Sequence, residues 1–301
     1  MRILLLGASG QVGTELRRSL VDLRPTDLVV ATRSGELPDG SSCEVADFSR
    51  PQMLRDLVTR IAPDLLVNAA AYTGVDRAEE EPELAYAVNA EAPRLLAEAC
   101  ATRATTLVHY STDYVFDGRG TRPYREDDPT APLGVYGASK LAGEDAIRAS
   151  GCRSMIFRTA WVYADHGSNF LRTMLRVGAG RDELRVVADQ IGTPTPAALI
   201  ADVTAQALAA KPDASGLWHL TATGHTSWHG FAEAIFEVAM AQGLIGRAPR
   251  VVPITTAEYP TRAARPAWSV LDTHALRRDF GLQLTDWGPA LATVLARCAQ
   301  A

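Results

Sequence analysis

Gly7-Ala8-Ser9-Gly10-Gln11-Val12-Gly13 follows a short apolar run, residues 2–6, and opens a stretch in which Val12, Leu16 and Leu20 recur at helical spacing. A strand that passes through a glycine turn into a helix is the first unit of a dinucleotide-binding sheet. Gly7 allows the sharp turn, Gly10 lets a pyrophosphate approach the backbone, and Gly13 lets the helix pack closely on the strand. Phosphates then rest on the N–H groups that begin the helix. Three glycines alone also serve as a purely structural turn; the strand before and the helix after favour a nucleotide site.

Outward from this turn, strands are expected at 28–31, 44–46, 64–68, 106–111 and 154–160. Between them lie helices at 51–61, a long one at 77–101, and one at 134–150 after a loop marked by Pro123, Pro129 and Pro132. Further on come helices at 169–177, 197–210 and 228–242, strands at 184–188 and 216–221, and an irregular tail. This alternation predicts an α/β fold, a Rossmann-type doubly wound parallel sheet with a smaller, sequence-discontinuous C-terminal substrate domain. Residues 1–164 plus about 193–222 are assigned to the Rossmann domain, and about 165–192 plus 223–301 to the substrate domain.

With 301 residues, 47% of them hydrophobic and 22% charged, the chain should fold throughout. A net charge of −5 argues against nucleic-acid or anionic-membrane partners. Cys43, Cys100, Cys152 and Cys298 are scattered and read as reduced residues of a cytoplasmic protein. The apolar run at residues 2–6 is too short for a signal-peptide core or a membrane span.

Tyr136 and Lys140 lie four apart on an expected helix, so both face one way. A free phenol, with a pKa of about 10, is a sluggish acid at neutrality unless a nearby ammonium stabilises its phenolate. Lys140 can supply that charge. Ser111-Thr112-Asp113 ends the fifth strand, where the ligand crevice of such a sheet forms, and a hydroxyl there can bind a reacting carbonyl oxygen. Thr112 is the preferred hydroxyl and Ser111 its competitor, because adjacent strand residues face opposite ways. Thr32-Arg33-Ser34 at the second strand end lacks a carboxylate, so Arg33 favours the 2'-phosphate of NADPH, with NADH left open.

The chain resembles the extended short-chain dehydrogenase/reductase superfamily, and within it the dTDP-4-dehydrorhamnose reductases, over essentially its whole length. The resemblance is carried by the GxxGxxG spacing, LLVNAAAYTGVDRAEEEPELAYAVNA (65–90), HYSTDYVFDG (109–118), PLGVYGASKLAGE (132–144), FRTAWVYA (157–164), DQIGTPT (189–195) and YPTRAARPAWSVLDT (259–273). It implies NADPH-dependent reduction of the C4 ketone of dTDP-4-dehydro-β-L-rhamnose, with Tyr136 as proton donor, Lys140 lowering its pKa and Thr112 orienting the carbonyl. It further implies that Ser9, Gly10, Gln11, Asp47, Phe48, Ala69, Ala70, Ala71, Tyr110, Tyr136 and Lys140 meet the cofactor; the glycine turn itself adds Gly7, Val12 and Gly13, and the second strand end adds Arg33, where family members often carry an acid. By the same resemblance Thr112, Asp113 and Trp161 would meet the dTDP-sugar; independently of it, Arg262 and Arg265 in a proline-bounded loop are candidates for its diphosphate, with exposed loop arginines as the alternative.

Some members of the family join subunits through a magnesium site of carboxylates. Glu15 matches one such ligand, but the position aligned with a second is Ala198, so the metal is not carried over; a homodimer stays open. Two other functions also remain open. One is a nucleotide-sugar epimerase or dehydratase of the same superfamily, although Thr112-Asp113 lacks the adjacent Glu of a dehydratase. The other is a non-catalytic regulatory subunit resembling these reductases.

Overall fold

The structure, a computed structural model, describes residues 1–298. The chain begins with β1 (Arg2–Leu6), α1 (Gln11–Ser19), β2 (Asp27–Thr32), β3 (Glu44–Val45), α2 (Gln52–Ile61) and β4 (Leu65–Asn68). It continues through α3 (Val75–Ala78), α4 (Pro82–Tyr86), α5 (Ala92–Arg103), β5 (Thr106–Thr112), α6 (Val135–Ala149) and β6 (Ser154–Thr159). Then follow β7 (Val162–Tyr163), α7 (Phe170–Gly178), β8 (Glu183–Val187), β9 (Ile191–Gly192), β10 (Thr195–Pro196) and α8 (Ala197–Ala210). The last elements are β11 (Gly216–His219), β12 (Thr226–Ser227), α9 (Trp228–Ala241), β13 (Arg250–Ile254), α10 (His274–Phe280) and α11 (Trp287–Cys298).

Seven strands form one parallel sheet in the order β11-β6-β5-β4-β1-β2-β3. The winding reverses between β1 and β4, where Leu6 lies beside Asn68, and that reversal opens a crevice at the strand ends. Alternate residues of the apolar runs serve two cores. Ile3, Leu5, Val67 and Val108 pack with Leu16, Ile200 and Leu208 of α1 and α8. Leu4, Leu6, Leu66 and Leu107 pack with Leu54, Leu57, Leu96 and Ile147 of α2, α5 and α6. Burial on both faces is why these strands read as continuous hydrophobic stretches. Beyond the sheet, α7, α9 and α11 close around Leu171, Phe231, Ile235, Leu291 and Leu295.

Two stretches differ from the sequence expectation. Residues 77–101 are not one helix but α3, α4, a π-turn at Ala87–Glu91 and α5. Pro82 starts α4, and Pro93 has no N–H to give the Asn89 carbonyl, so the regular ladder fails there. A Cβ on Gly143 would lie 2.1 Å from that Asn89 oxygen, so α6 seats against the irregular turn through a glycine. The tail is also more ordered than expected, holding β13, α10 and α11. Pro253 within β13 obscures the strand, whose partner β8 lies far back in the chain.

Candidate active site

Gly7 has φ +76°, and a Cβ on it would come within 2.7 Å of the Ala70 nitrogen. Gly13 is held as tightly: its Cβ would lie 2.1 Å from the Gly7 carbonyl oxygen. Those two glycines are required by packing of the turn against α1 and the end of β4. Gly10 is different. Its backbone is extended (φ −75°, ψ 170°), and a Cβ would meet no neighbour nearer than 3.4 Å. No internal contact demands glycine there, which fits a backbone kept bare for an external group. The N-terminus of α1 carries no side-chain cap and no acid in its first turn, so its N–H groups face the crevice uncompensated. Ser9 and Gly10 are exposed, and Gln11 and Val12 half-buried, beside the small side chains of Ala69, Ala70 and exposed Ala71. Gln11 Oε1 accepts a 2.7 Å hydrogen bond from Asn169 Nδ2, tying the turn to the segment before α7. These features fit a dinucleotide.

Across the crevice, α6 presents Tyr136 and Lys140 on one face. Glu79 Oε1 accepts the Val135 N–H at 2.8 Å and so caps this helix from α3's far end. Gly137 allows the close approach of Tyr114, whose carbonyl oxygen would lie 2.2 Å from a Cβ. The Tyr136 ring meets Tyr114 edge-on at 5.5 Å. The Tyr136 phenol, which the sequence expects Lys140 to bring down, is instead pushed up to about 12 by burial, opposed by the Thr112 hydroxyl beside it, because the lysine amine is drawn to the Tyr110 carbonyl. Lys140 is 2% exposed, and burial pulls its ammonium down to about 8 against the favourable charge of Glu144. Its Nζ donates to the Tyr110 carbonyl at 2.6 Å. Behind Lys140, Glu144 and Arg158 of β6 form a fully buried two-pronged ion pair at 3.0 and 2.7 Å.

The Thr112 hydroxyl neighbours the Tyr136 phenol, whereas Ser111 Oγ is buried without a hydrogen-bond partner. Thr112 Oγ1 donates to Asp113 Oδ1 at 3.0 Å and accepts the Tyr114 N–H at 3.2 Å. Asp113 Oδ2 is buried with no hydrogen bond of good geometry, and burial pushes this carboxyl up to about 6 against the opposing hydroxyls of Ser269 and Thr112. A lone acceptor in that position suits a ligand hydroxyl.

The remaining candidates divide. Arg33 is exposed at the end of β2 and pairs with no carboxylate among the described residues. Asp47 caps its own turn by accepting from the Ser49 N–H and hydroxyl, while the Phe48 ring is packed into the core with Leu6 and Leu54. The Tyr110 side chain lies on the opposite face of the sheet, its hydroxyl 2.8 Å from Thr204 of α8, so only its carbonyl faces Lys140. Trp161 has φ +47°, a strained value for a non-glycine residue, and stacks on Trp228 at 3.5 Å. One indole face is therefore covered by another tryptophan. Arg265 forms a two-pronged pair with Asp76 at 2.7 and 3.0 Å, and Arg262 pairs with Glu80.

Glu15, Asp165 and His166 bring three ligand atoms within 4.8 Å of one another. Glu15 is already held by His166 at 3.1 Å, Arg297 at 3.4 Å and Arg18 at 3.5 Å, and the His166 hydrogen bond leads the downward shift of its carboxyl. A divalent ion would have to enter beside two guanidinium groups, so the set does not fit magnesium.

The family described as RmlD substrate binding domain matches residues 1–300. A dTDP-4-dehydrorhamnose reductase of Burkholderia thailandensis is 49% identical, the match covering 95% of this chain and 95% of that protein. The chain belongs to the dTDP-4-dehydrorhamnose reductase family. Among solved structures, a dTDP-4-dehydrorhamnose reductase from Clostridium acetobutylicum superposes with a TM-score of 0.90 at 35% identity, covering 100% of both chains. The Bacillus anthracis dTDP-4-dehydrorhamnose reductase, solved in complex with NADP, gives 0.88 at 34% identity over 98% of this chain and 99% of that one. For a dTDP-4-dehydrorhamnose reductase family member, the sequence reading left His109, Asn68 and Trp228 without a role. The signal for His109 was present as a lone polar residue inside the apolar run Leu107-Val108-His109-Tyr110.

Proposed function

We propose that this chain reduces the C4 ketone of dTDP-4-dehydro-β-L-rhamnose to dTDP-β-L-rhamnose with NADPH. The observation that carries the reading is the Thr112 hydroxyl at the end of β5 beside the Tyr136 phenol of α6, with Lys140 one turn further along the same helix and a bare, uncapped glycine turn at the start of α1. NADPH, when bound, supplies the hydride. The phenol of Tyr136 donates the proton that turns the nascent C4 alkoxide into a hydroxyl. Thr112 Oγ1 turns from Asp113 to donate to the ketone oxygen, and Asp113 Oδ2 accepts from a sugar hydroxyl. Trp161, fixed by Trp228, borders the sugar.

The cofactor is assigned to the glycine turn, Arg33, the Asp47-Phe48 backbone and the Ala69-Ala71 strand end. Arg265 reaches the substrate diphosphate by giving up Asp76. The division into residues 1–164 plus about 193–222 and about 165–192 plus 223–301 is part of the same proposal; β11 pairing with β6 and α8 packing on α1 support it. No described helix is long and apolar enough to cross a membrane.

The deciding experiment follows NADPH absorbance after addition of dTDP-4-dehydro-β-L-rhamnose. Substrate-dependent oxidation is expected, and its absence in the wild type refutes the reading. Arg33→Ala is expected to raise KM for NADPH about tenfold while leaving that for NADH within about twofold, because only the former loses a guanidinium on a phosphate. Equal effects on both cofactors would remove Arg33 from the site. Gly10→Ala should leave Tm within about 2 °C, since nothing internal meets the new methyl. It should nevertheless weaken NADPH binding at least about tenfold by calorimetry. Unchanged affinity would count against the turn as a phosphate cradle.

A further inference from the structure

Asn68, His109 and Lys140 make a buried chain from the end of β4 across β5 to α6. The Asn68 amide has one orientation: its Oδ1 accepts the Ala70 N–H at 3.1 Å, so Nδ2 is the atom 3.0 Å from His109 Nδ1. An amide nitrogen only donates, so Nδ1 must accept, and a neutral imidazole then carries its hydrogen on Nε2. That Nε2 faces Lys140 Nζ at 3.4 Å. Two donors cannot satisfy one another. The contact is favourable when Nζ offers a lone pair, as the free amine, while still donating to the Tyr110 carbonyl. His109 is fully buried, and burial together with the Lys140 charge keeps the imidazole uncharged far below its ordinary range.

We infer that His109, fixed as the Nε2–H tautomer by Asn68, is a positioning residue that stabilises the deprotonated amine of Lys140 and so eases proton loss from this lysine. The inference rests on the reductase reading. Each reduction takes one hydride, which becomes the C4–H, and one proton, which passes from the Tyr136 phenol to the oxygen. Tyr136 is left as phenolate. The proton that restores it comes from the Lys140 ammonium one helical turn away, and Lys140 is left as the amine that His109 stabilises until solvent reprotonates it.

Other charged groups bear on the same lysine. Glu144 on α6 favours the ammonium and opposes His109, but Arg158 from β6 is paired to it in two places. Tyr110 on β5 faces Lys140 with its carbonyl, and Tyr136 lies one turn before it on α6. On β4 the facing group is the uncharged Asn68.

Two measurements test this. Nitrogen NMR of histidine-labelled protein, without cofactor or substrate, should show His109 with a bare Nδ1 and a protonated Nε2 from about pH 6 to 9. An Nδ1–H tautomer or an imidazolium overturns the inference whether or not the protein is a reductase. In NADPH oxidation assays, His109→Phe removes the donor and should move the alkaline limb of kcat up by about one pH unit. His109→Gln, whose amide N–H can replace Nε2–H, should keep the limb within about 0.3 unit of wild type. Should His109→Phe not fold, Asn68→Asp tests the same chain: its carboxylate accepts from Nδ1–H, turns Nε2 into an acceptor, and should move the limb the same way. Coincident limbs for wild type and these variants refute the inference and leave the reductase reading intact. A wild type that consumes no NADPH refutes that reading, and the NMR still decides the tautomer.

Discussion

Tyr136→Phe is expected to lower kcat by about 10²–10⁴-fold while the protein unfolds within about 2 °C of wild type. The substitution removes one oxygen from a half-buried ring at the crevice and leaves the edge-on contact with Tyr114 in place. Packing is therefore almost unchanged. The loss is chemical: a ketone that accepts hydride without a proton donor must form a free alkoxide. KM for the sugar nucleotide should move by less than about threefold, because the phenol's proton matters in the transition state rather than in binding. Turnover within threefold of wild type would remove Tyr136 from the role of acid.

The second large effect concerns stability. Arg158 and Glu144 are 2% and 0% exposed at their side chains, and each is the other's charge partner. Taking two charges out of water is costly, and removal of one leaves the other buried without compensation. Arg158→Met should cost about 3–5 kcal/mol in urea unfolding, or roughly 10 °C in Tm. The double variant Arg158→Met with Glu144→Leu should regain most of that, since no charge is then stranded. A single variant as stable as the double would show that solvent reaches Glu144 in the folded state. The guanidinium also lies over the Phe116 ring at 5.1 Å, a cation–π contact that methionine does not replace.

The glycine turn was legible because its constraints are local: a positive φ at Gly7 and a contact between Gly7 and Gly13 belong to one loop. Tyr136 and Lys140 were legible for the same reason, four residues on one helix. What escaped depends on elements far apart in the chain. Whether Ser111 or Thr112 faces the crevice is decided by where the strand ends, and period-two alternation offers both answers. Covering of Trp161 by Trp228 joins a strand end to a helix in another part of the chain. Arg265 looked free to meet a diphosphate until Asp76, far earlier in the sequence, was found holding it. The segment 77–101 has the apolar period of one helix, and the interruption at Pro93 became apparent only with Gly143 packed against the Asn89 carbonyl. The His109 tautomer depends on two partners, Asn68 on β4 and Lys140 on α6, that lie far from it in the chain.

The strand that completes the main sheet, β11, arrives long after its neighbour β6. During synthesis, the β6 backbone therefore waits with one row of N–H and C=O groups unpaired while β7 through α8 are still being made. An open edge of that kind is a template for other chains as well as for its own. The nascent protein is thus most exposed to mispairing in the interval before His219 leaves the ribosome. Any shortened version ending near residue 164 would keep that vulnerability permanently, however complete its glycine turn and its Tyr136-Lys140 pair.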